Sequence, residues 1–116
     1  MKRDARAFLW DIQQAADAIL RFVAGLDIRT YAETELVHSA VERKFEIIGE
    51  ALNQIAKLDP ALARRIPDVR EIIAFRNVLI HGYAVVEHDR VWRIAEASLP
   101  GLRAAVAALL DELGPP

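Results

Sequence analysis

The segment from Arg76 to Tyr83 holds the side chains best suited to chemistry in this 116-residue chain. Arg76 interrupts an apolar helical pattern, and His81 follows five residues later beside Gly82, a natural end for a helix. Five residues on a regular helix place two side chains about 140° apart around the axis, so a loosened last turn would be needed to turn them toward one surface. With Asn77 and Tyr83 nearby, the segment predicts a phosphate site at a helix end.

The remaining candidates for chemistry are few. The three histidines, His38, His81 and His88, are scattered, and none has another histidine at i+3 or i+4. Glycine-rich phosphate loops, HExxH pairs and EF-hand loops do not occur in the sequence. We therefore expect no metal site and no bound cofactor. The lack of cysteine excludes disulfides and thiolate metal sites, and it suits a reducing cytoplasm.

Composition sets limits on the class of protein. The net charge of −2, from 15 basic and 17 acidic residues, does not by itself indicate a nucleic-acid binder, because phosphate binding needs clustered positive charge. A local cluster, Arg64, Arg65 and Arg70, could guide RNA or a partner, although most such clusters are only solvated surface. No secretion signal or membrane span is recognisable, so we expect a cytoplasmic protein.

The elements that must position Arg76 and His81 are helical, because apolar residues recur every three or four positions. Four long helices are predicted, over about 4–25, from 30–34 to 59, from Asp68 as a cap to Gly82, and 89–113. We expect a short extra helical turn after Pro60, a close helix approach at Gly49 and a kink or break at Pro100. The predicted fold class is all-α, an antiparallel four-helix up-down bundle forming a single domain over 1–116.

The motif and its context resemble a known family. Residues 76–83, RNVLIHGY, match the R-x4-H-x-Y motif of the HepT-like branch of the HEPN superfamily. Residues 41–52, VERKFEIIGEAL, resemble the family's helix-two signature, E-R-x-x-x-x-I-G-E-A. Residues 68–76 and the LPGL sequence at 99–102 are also similar to the family. The resemblance covers nearly the whole chain in the right order.

The resemblance implies a concrete function. HEPN toxins of this type are homodimers whose R-x4-H motifs meet across the interface and form a composite ribonuclease site. Cleavage of RNA needs no metal and leaves a 2′,3′-cyclic phosphate. The partner is a minimal nucleotidyltransferase antitoxin of the MntA type, in a type VII-like toxin–antitoxin pair. It adenylylates the tyrosine of the motif, which is Tyr83 here.

The chemistry of the motif residues agrees with these roles. Arg76 is always charged, and its planar fork matches two phosphoryl oxygens. His81 is the motif residue whose unperturbed pKa, about 6.5, lies near neutrality. One histidine per chain leaves one of the two proton transfers unfilled, and a symmetric dimer supplies the second. Asn77 would orient the phosphate or hold His81, and Glu50 is expected to support the site structurally rather than catalyse.

Structural roles for the same residues stay open at this point. Arg76 could simply pair with Glu46 or Glu50 at the edge of the core, and His81 could be a helix-terminal cation. The alternative function is a non-catalytic HEPN binding subunit of a minimal nucleotidyltransferase. A third is a helical dimer with no ligand. Trp10 and Trp92 are expected to anchor the core or an interface.

Overall fold

The computed structural model describes residues 3–82 and 86–114, and every regular element in those ranges is a helix. The prediction of an all-α fold is confirmed. Seven helices occur in the described ranges: α1 Ala5–Val23, α2 Ile28–Glu33, α3 Glu35–Leu58, α4 Pro60–Ala63, α5 Val69–Ile80, α6 His88–Ala97 and α7 Leu99–Leu113. None of them is both long and apolar enough to cross a membrane.

The first boundaries follow from local chemistry. The carboxylate of Asp4 accepts a hydrogen bond from the backbone N–H of Arg6 at 2.7 Å and so caps α1. Gly25, with φ of +78°, ends that helical segment. Asp27 and Thr30 then form a capping box, so the predicted second helix begins as a separate helix, α2, before α3.

Two further predicted boundaries have different outcomes. Asp59 caps α4 by accepting from the backbone N–H of Leu62 at 3.0 Å, and Pro60 fits the first turn, as predicted. Asp68 does precede α5, but the prediction that its side chain caps this helix is wrong. Its backbone is left-handed, with φ of 60°, and its carboxylate makes no cap hydrogen bond.

The predicted last helix is divided in two. α6 begins at His88, one residue before the predicted start at Asp89, and it ends at Ala97, with Ser98 as its C-cap. α7 then starts at Leu99, which places Pro100 in its first turn. Proline is tolerated there because the first N–H groups of a helix have no partner within it. The predicted break is confirmed, two residues earlier than expected.

The helices share one hydrophobic core. α1 lies along α3, α7 packs on α1, and α5 packs on α3. Phe45 of α3 and Phe75 of α5 are both buried, with ring centroids 5.5 Å apart in an edge-on arrangement. Trp92 packs against this core as predicted, whereas Trp10 is 45% exposed and lies outside it. The contact between α3 and α5 is the one that positions Arg76.

Candidate functional site

Gly49 allows α5 to approach α3 at the level of Arg76. A Cβ atom at Gly49 would lie 2.3 Å from Cβ of Arg76 and 2.7 Å from its Cγ. It would also lie 3.3 Å from the carbonyl oxygen of Ile72. No side chain fits at such distances, so the predicted close approach at Gly49 is confirmed. The Cβ and Cγ atoms of Arg76 pack directly against α3 at this point.

Glu50, the neighbour of Gly49 on α3, holds the guanidinium of Arg76. Nη2 of Arg76 donates to Oε2 of Glu50 at 2.5 Å, and Nη1 donates to Oδ1 of Asn77 at 3.0 Å. The other carboxylate oxygen of Glu50 accepts from Nε2 of Gln54 at 3.0 Å. The sequence left Glu46 and Glu50 as alternative partners, and the structure selects Glu50. Glu46 instead lies 3.7 Å from Arg43.

This network leaves the guanidinium able to bind an anion. An arginine has five N–H donors, and the two bonds to Glu50 and Asn77 occupy two of them. The Arg76 side chain remains 22% exposed and that of Glu50 45% exposed, so solvent reaches both. A phosphate could therefore share the fork with Glu50, which would keep the group in one orientation.

His81 lies at the other end of the motif and is exposed. It is the C-cap of α5, with φ of −80° and ψ of −3°, and its backbone N–H donates to the carbonyl oxygen of Asn77 at 3.1 Å. The chain leaves the helix at Gly82, with φ of +64°. The helix therefore stays regular through Ile80 up to its C-cap, His81, and the loosened last turn that would bring the two side chains to one surface is not found. Arg76 and His81 remain about 140° apart around α5.

Tyr83, the predicted modification site, lies outside the described residues. The structure describes the chain up to Gly82 and again from Val86. Of the five predicted site residues, it brings Arg76, Asn77 and Glu50 into one hydrogen-bonded group. It places His81 at the end of the same helix, beyond that group.

The three histidines are scattered in the sequence, but the fold brings two of them together. The rings of His38 on α3 and His88 at the start of α6 are in contact, with centroids 4.0 Å apart and ring planes tilted by 32°. Glu42 lies one helical turn after His38, and its Oε2 is 3.5 Å from Nδ1 of His38. The i,i+4 spacing of His38 and Glu42 was visible in the sequence, but nothing there linked either residue to His88.

The basic cluster before the motif is smaller than the sequence suggested. Arg65 makes two hydrogen bonds, at 3.1 and 2.5 Å, to the carboxylate of Glu112 on α7. This contact holds the pKa of Glu112 below its usual range. Arg64 and Arg70 line a cavity of about 440 Å³ between α4 and α5. Of the three arginines, Arg65 is therefore paired with a carboxylate, whereas Arg64 and Arg70 border the cavity.

The fold and site together define an all-α protein with an arginine fixed by a neighbouring helix and a histidine at the end of the arginine's own helix. The HepT-like ribonuclease family model matches residues 12–109, so the chain belongs to that family. The HEPN prediction is thereby confirmed, and the ribonuclease prediction is confirmed at the level of the family.

Relatives agree with this assignment. The chain is 32% identical over 107 residues to a candidate RNase of Methanocaldococcus jannaschii, covering 90% of this chain and 95% of the relative. It is 32% identical over 103 residues to "Probable ribonuclease HepT" of Thermococcus cleftensis, covering 89% and 93% of the two chains. No solved structure matches the chain.

Proposed function

We propose that this chain is the toxin of a toxin–antitoxin pair, a cytoplasmic, single-domain HEPN endoribonuclease that cuts RNA without a metal ion. Arg76 binds the scissile phosphate, and His81 transfers protons. The observation that carries the proposal is the seating of Arg76 on Gly49 and Glu50, which fixes a guanidinium at the surface of a rigid helix. Pre-organised positive charge of this kind stabilises the charge that develops on a phosphate during cleavage.

The proposed reaction is a transfer within the RNA. One His81 removes the proton of a ribose 2′-hydroxyl, whose oxygen attacks the adjacent phosphorus. The bond from phosphorus to the 5′-oxygen breaks, and that oxygen takes a proton from His81 of the partner subunit. The products are a 2′,3′-cyclic phosphate and a 5′-hydroxyl. Arg76 neutralises the phosphoryl oxygens throughout, and Asn77 orients the fork.

The regular end of α5 supports a site shared between two chains. Arg76 and His81 point to different sides of one helix, so one chain presents only part of a converging site. In a two-fold dimer each surface patch faces its own copy, and the two α5 ends would then supply two histidines and two arginines. The proposed active unit is therefore the homodimer.

The cleavage test uses a labelled RNA in EDTA. The wild-type chain is expected to cut it, whereas Arg76→Ala and His81→Ala should each lower the rate by at least about 100-fold. Arg93→Ala, at an exposed arginine on α6, is the matched control and should cleave at the wild-type rate. Equal cleavage by Arg76→Ala, His81→Ala and the wild-type chain would remove both residues from the mechanism.

The shared site has its own test. Wild-type chain and His81→Ala are mixed in equal amounts and allowed to exchange subunits. If both histidines are needed, only wild-type homodimers cleave, and activity falls to about one quarter of that of the same total amount of wild-type chain. A fall to about one half would show that each subunit acts alone.

We further propose that a nucleotidyltransferase antitoxin switches the enzyme off by transferring AMP to Tyr83. The added phosphate would place negative charge two residues after His81 and repel RNA. With such an enzyme, ATP and magnesium, the mass of the chain should rise by one or more AMP units while cleavage stops. A mass gain that persists in Tyr83→Phe would place the modification elsewhere.

The second candidate is a non-catalytic HEPN subunit that binds a nucleotidyltransferase. The pairing of Arg76 with Glu50 favours it, because the carboxylate offsets part of the charge that a phosphate would meet. This candidate predicts no RNA cleavage in the absence or presence of any metal ion, together with complex formation that survives Arg76→Ala. The cleavage test above separates the two.

A further inference from the structure

A polar cluster lies where α2, α3 and the start of α6 meet, apart from the Arg76 site. It consists of His38 and Glu42 on α3 and His88 on α6, with Tyr31 of α2 packed against both imidazoles. The two histidine rings are 4.0 Å apart, and the Tyr31 ring meets them edge-on at centroid distances of 6.3 and 6.1 Å. Folding thus joins residues 50 positions apart in the sequence.

The cluster holds polar atoms whose hydrogen-bonding capacity is unused in the described part of the chain. Nδ1 of His38, Nδ1 of His88 and the hydroxyl of Tyr31 are buried and have no hydrogen-bond partner there. Tyr31 is fully buried. Most buried polar side-chain atoms in proteins are satisfied, so three unsatisfied atoms around one contact call for a missing partner.

A cation supplies what these groups lack. One donor atom each from His38, Glu42 and His88 lies within 4.8 Å of the other two. Two imidazole nitrogens and a carboxylate oxygen are a common ligand set for zinc, with bonds of about 2.0–2.2 Å. Such bonds would bring tetrahedral ligands to about 3.4 Å of one another, so binding an ion would require the three side chains to move closer together.

We propose that His38, Glu42 and His88 bind one zinc-class divalent cation per chain, which joins α3 to the first residue of α6. Three protein ligands leave a fourth position for water. His38 and Glu42 present their ligand atoms from one helix face, because they are four residues apart. The ion is structural: it ties α6 to α3, while Arg76 and His81 lie on α5.

Direct binding is the first test. The full chain, stripped with EDTA and dialysed, is titrated with zinc chloride by calorimetry. One equivalent per chain is expected. Zinc at about 100 times its dissociation constant should raise the unfolding temperature by about 10 °C over the EDTA sample. Zinc uptake well below one equivalent, with no rise in the unfolding temperature, would show that the aromatic rings only pack against one another. This result would overturn the proposal.

Variants locate the ion. His38→Gln and His88→Gln should each lower the affinity for zinc at least about 10-fold and abolish the thermal shift. His81→Gln, at the exposed histidine, is the matched control and should bind one equivalent as the wild-type chain does. If a histidine variant fails to fold, Glu42→Gln takes its place in the same zinc titration. The Glu42 side chain is 23% exposed, so this position tolerates an amide.

Cobalt provides an independent readout. Substitution with Co²⁺ should give the intense visible absorption of a four-coordinate site, and the band should be lost in His88→Gln but retained in His81→Gln. The reverse pattern would place the metal at α5 and overturn the proposal. Neither result depends on RNA cleavage, so these experiments test the metal site independently of the proposed ribonuclease mechanism.

Discussion

His81 and the pair formed by His38 and His88 occupy contrasting environments. His81 is exposed at the end of α5, and the motif arginine precedes it on the same helix. His38 and His88 face each other between α2, α3 and α6, with both Nδ1 atoms buried. The first environment is open to solvent, whereas the second is partly buried between helices.

This difference shows that residue type alone does not assign a role. An exposed histidine at the end of the helix that carries a fixed guanidinium suits proton transfer on a large substrate. Two partly buried histidines beside a carboxylate suit ion binding and stability. A change in one region should therefore have its effect in that region only.

The largest expected effect comes from Arg76→Lys. Lysine keeps the charge but loses the planar fork that reaches a phosphate and Glu50 together, so RNA cleavage should fall by about 100-fold or more. Initial rates on a labelled RNA measure it, with Arg93→Lys as the control. Zinc uptake by Arg76→Lys should be unchanged. A loss of uptake would show that the two regions are coupled.

Gly49→Ala should have the next largest effect. The new Cβ would overlap Cβ of Arg76, so α3 and α5 must separate, at a cost of about 1–3 kcal/mol in the free energy of unfolding. Urea unfolding followed by circular dichroism measures this cost. Gly101→Ala is the matched control, because a Cβ there meets nothing within 4 Å. Equal stability of Gly49→Ala and wild type would mean that the helices can shift freely.

Glu50→Gln tests whether the carboxylate orients Arg76. Glutamine has the size of glutamate and keeps one acceptor oxygen, but it has no charge. The guanidinium of Arg76 therefore loses its ion pair, while Gln54 can still donate to residue 50. We expect cleavage to fall by about 10-fold through poorer positioning, with a small change in stability because Glu50 is half exposed. A faster enzyme would mean that Glu50 instead competes with the phosphate.

Tyr31→Phe gives the smallest effect. Burial, followed by the charge of Glu42, raises the pKa of Tyr31 above its usual value of about 10. The unfolded chain therefore loses this proton first as pH rises through about 10, and wild-type stability declines above that pH. Phenylalanine removes this decline and also removes an unsatisfied hydroxyl.

At pH 7 the free energy of unfolding of Tyr31→Phe should thus equal that of the wild type or exceed it by up to about 1 kcal/mol. The difference should be larger above pH 10. Chemical unfolding of both proteins in EDTA from pH 7 to 11 measures the difference, and the other titrating groups cancel in it. A constant difference across that range would show that Tyr31 ionises equally in the folded and unfolded states.

Much of the secondary structure could be predicted because its causes are local. Apolar spacing indicated helices, and the Asp59-Pro60 pair and Gly82 marked real boundaries. The wrong predictions of helix boundaries and caps also have local causes, which the apolar spacing does not reveal. A capping box at Asp27 started α2 as a separate helix, and a left-handed backbone at Asp68 removed the expected side-chain cap.

The sequence by itself determined the family and the motif from Arg76 to His81. It also determined the approximate angle between these two residues, because backbone hydrogen bonds fix the geometry of α5 as far as its C-cap, His81. Only the tertiary structure decided which glutamate holds Arg76, since the close approach at Gly49 sets how α5 lies on α3. It alone also brought His88 to His38, because the packing of α6 on α2 and α7 directs the start of α6 toward α3.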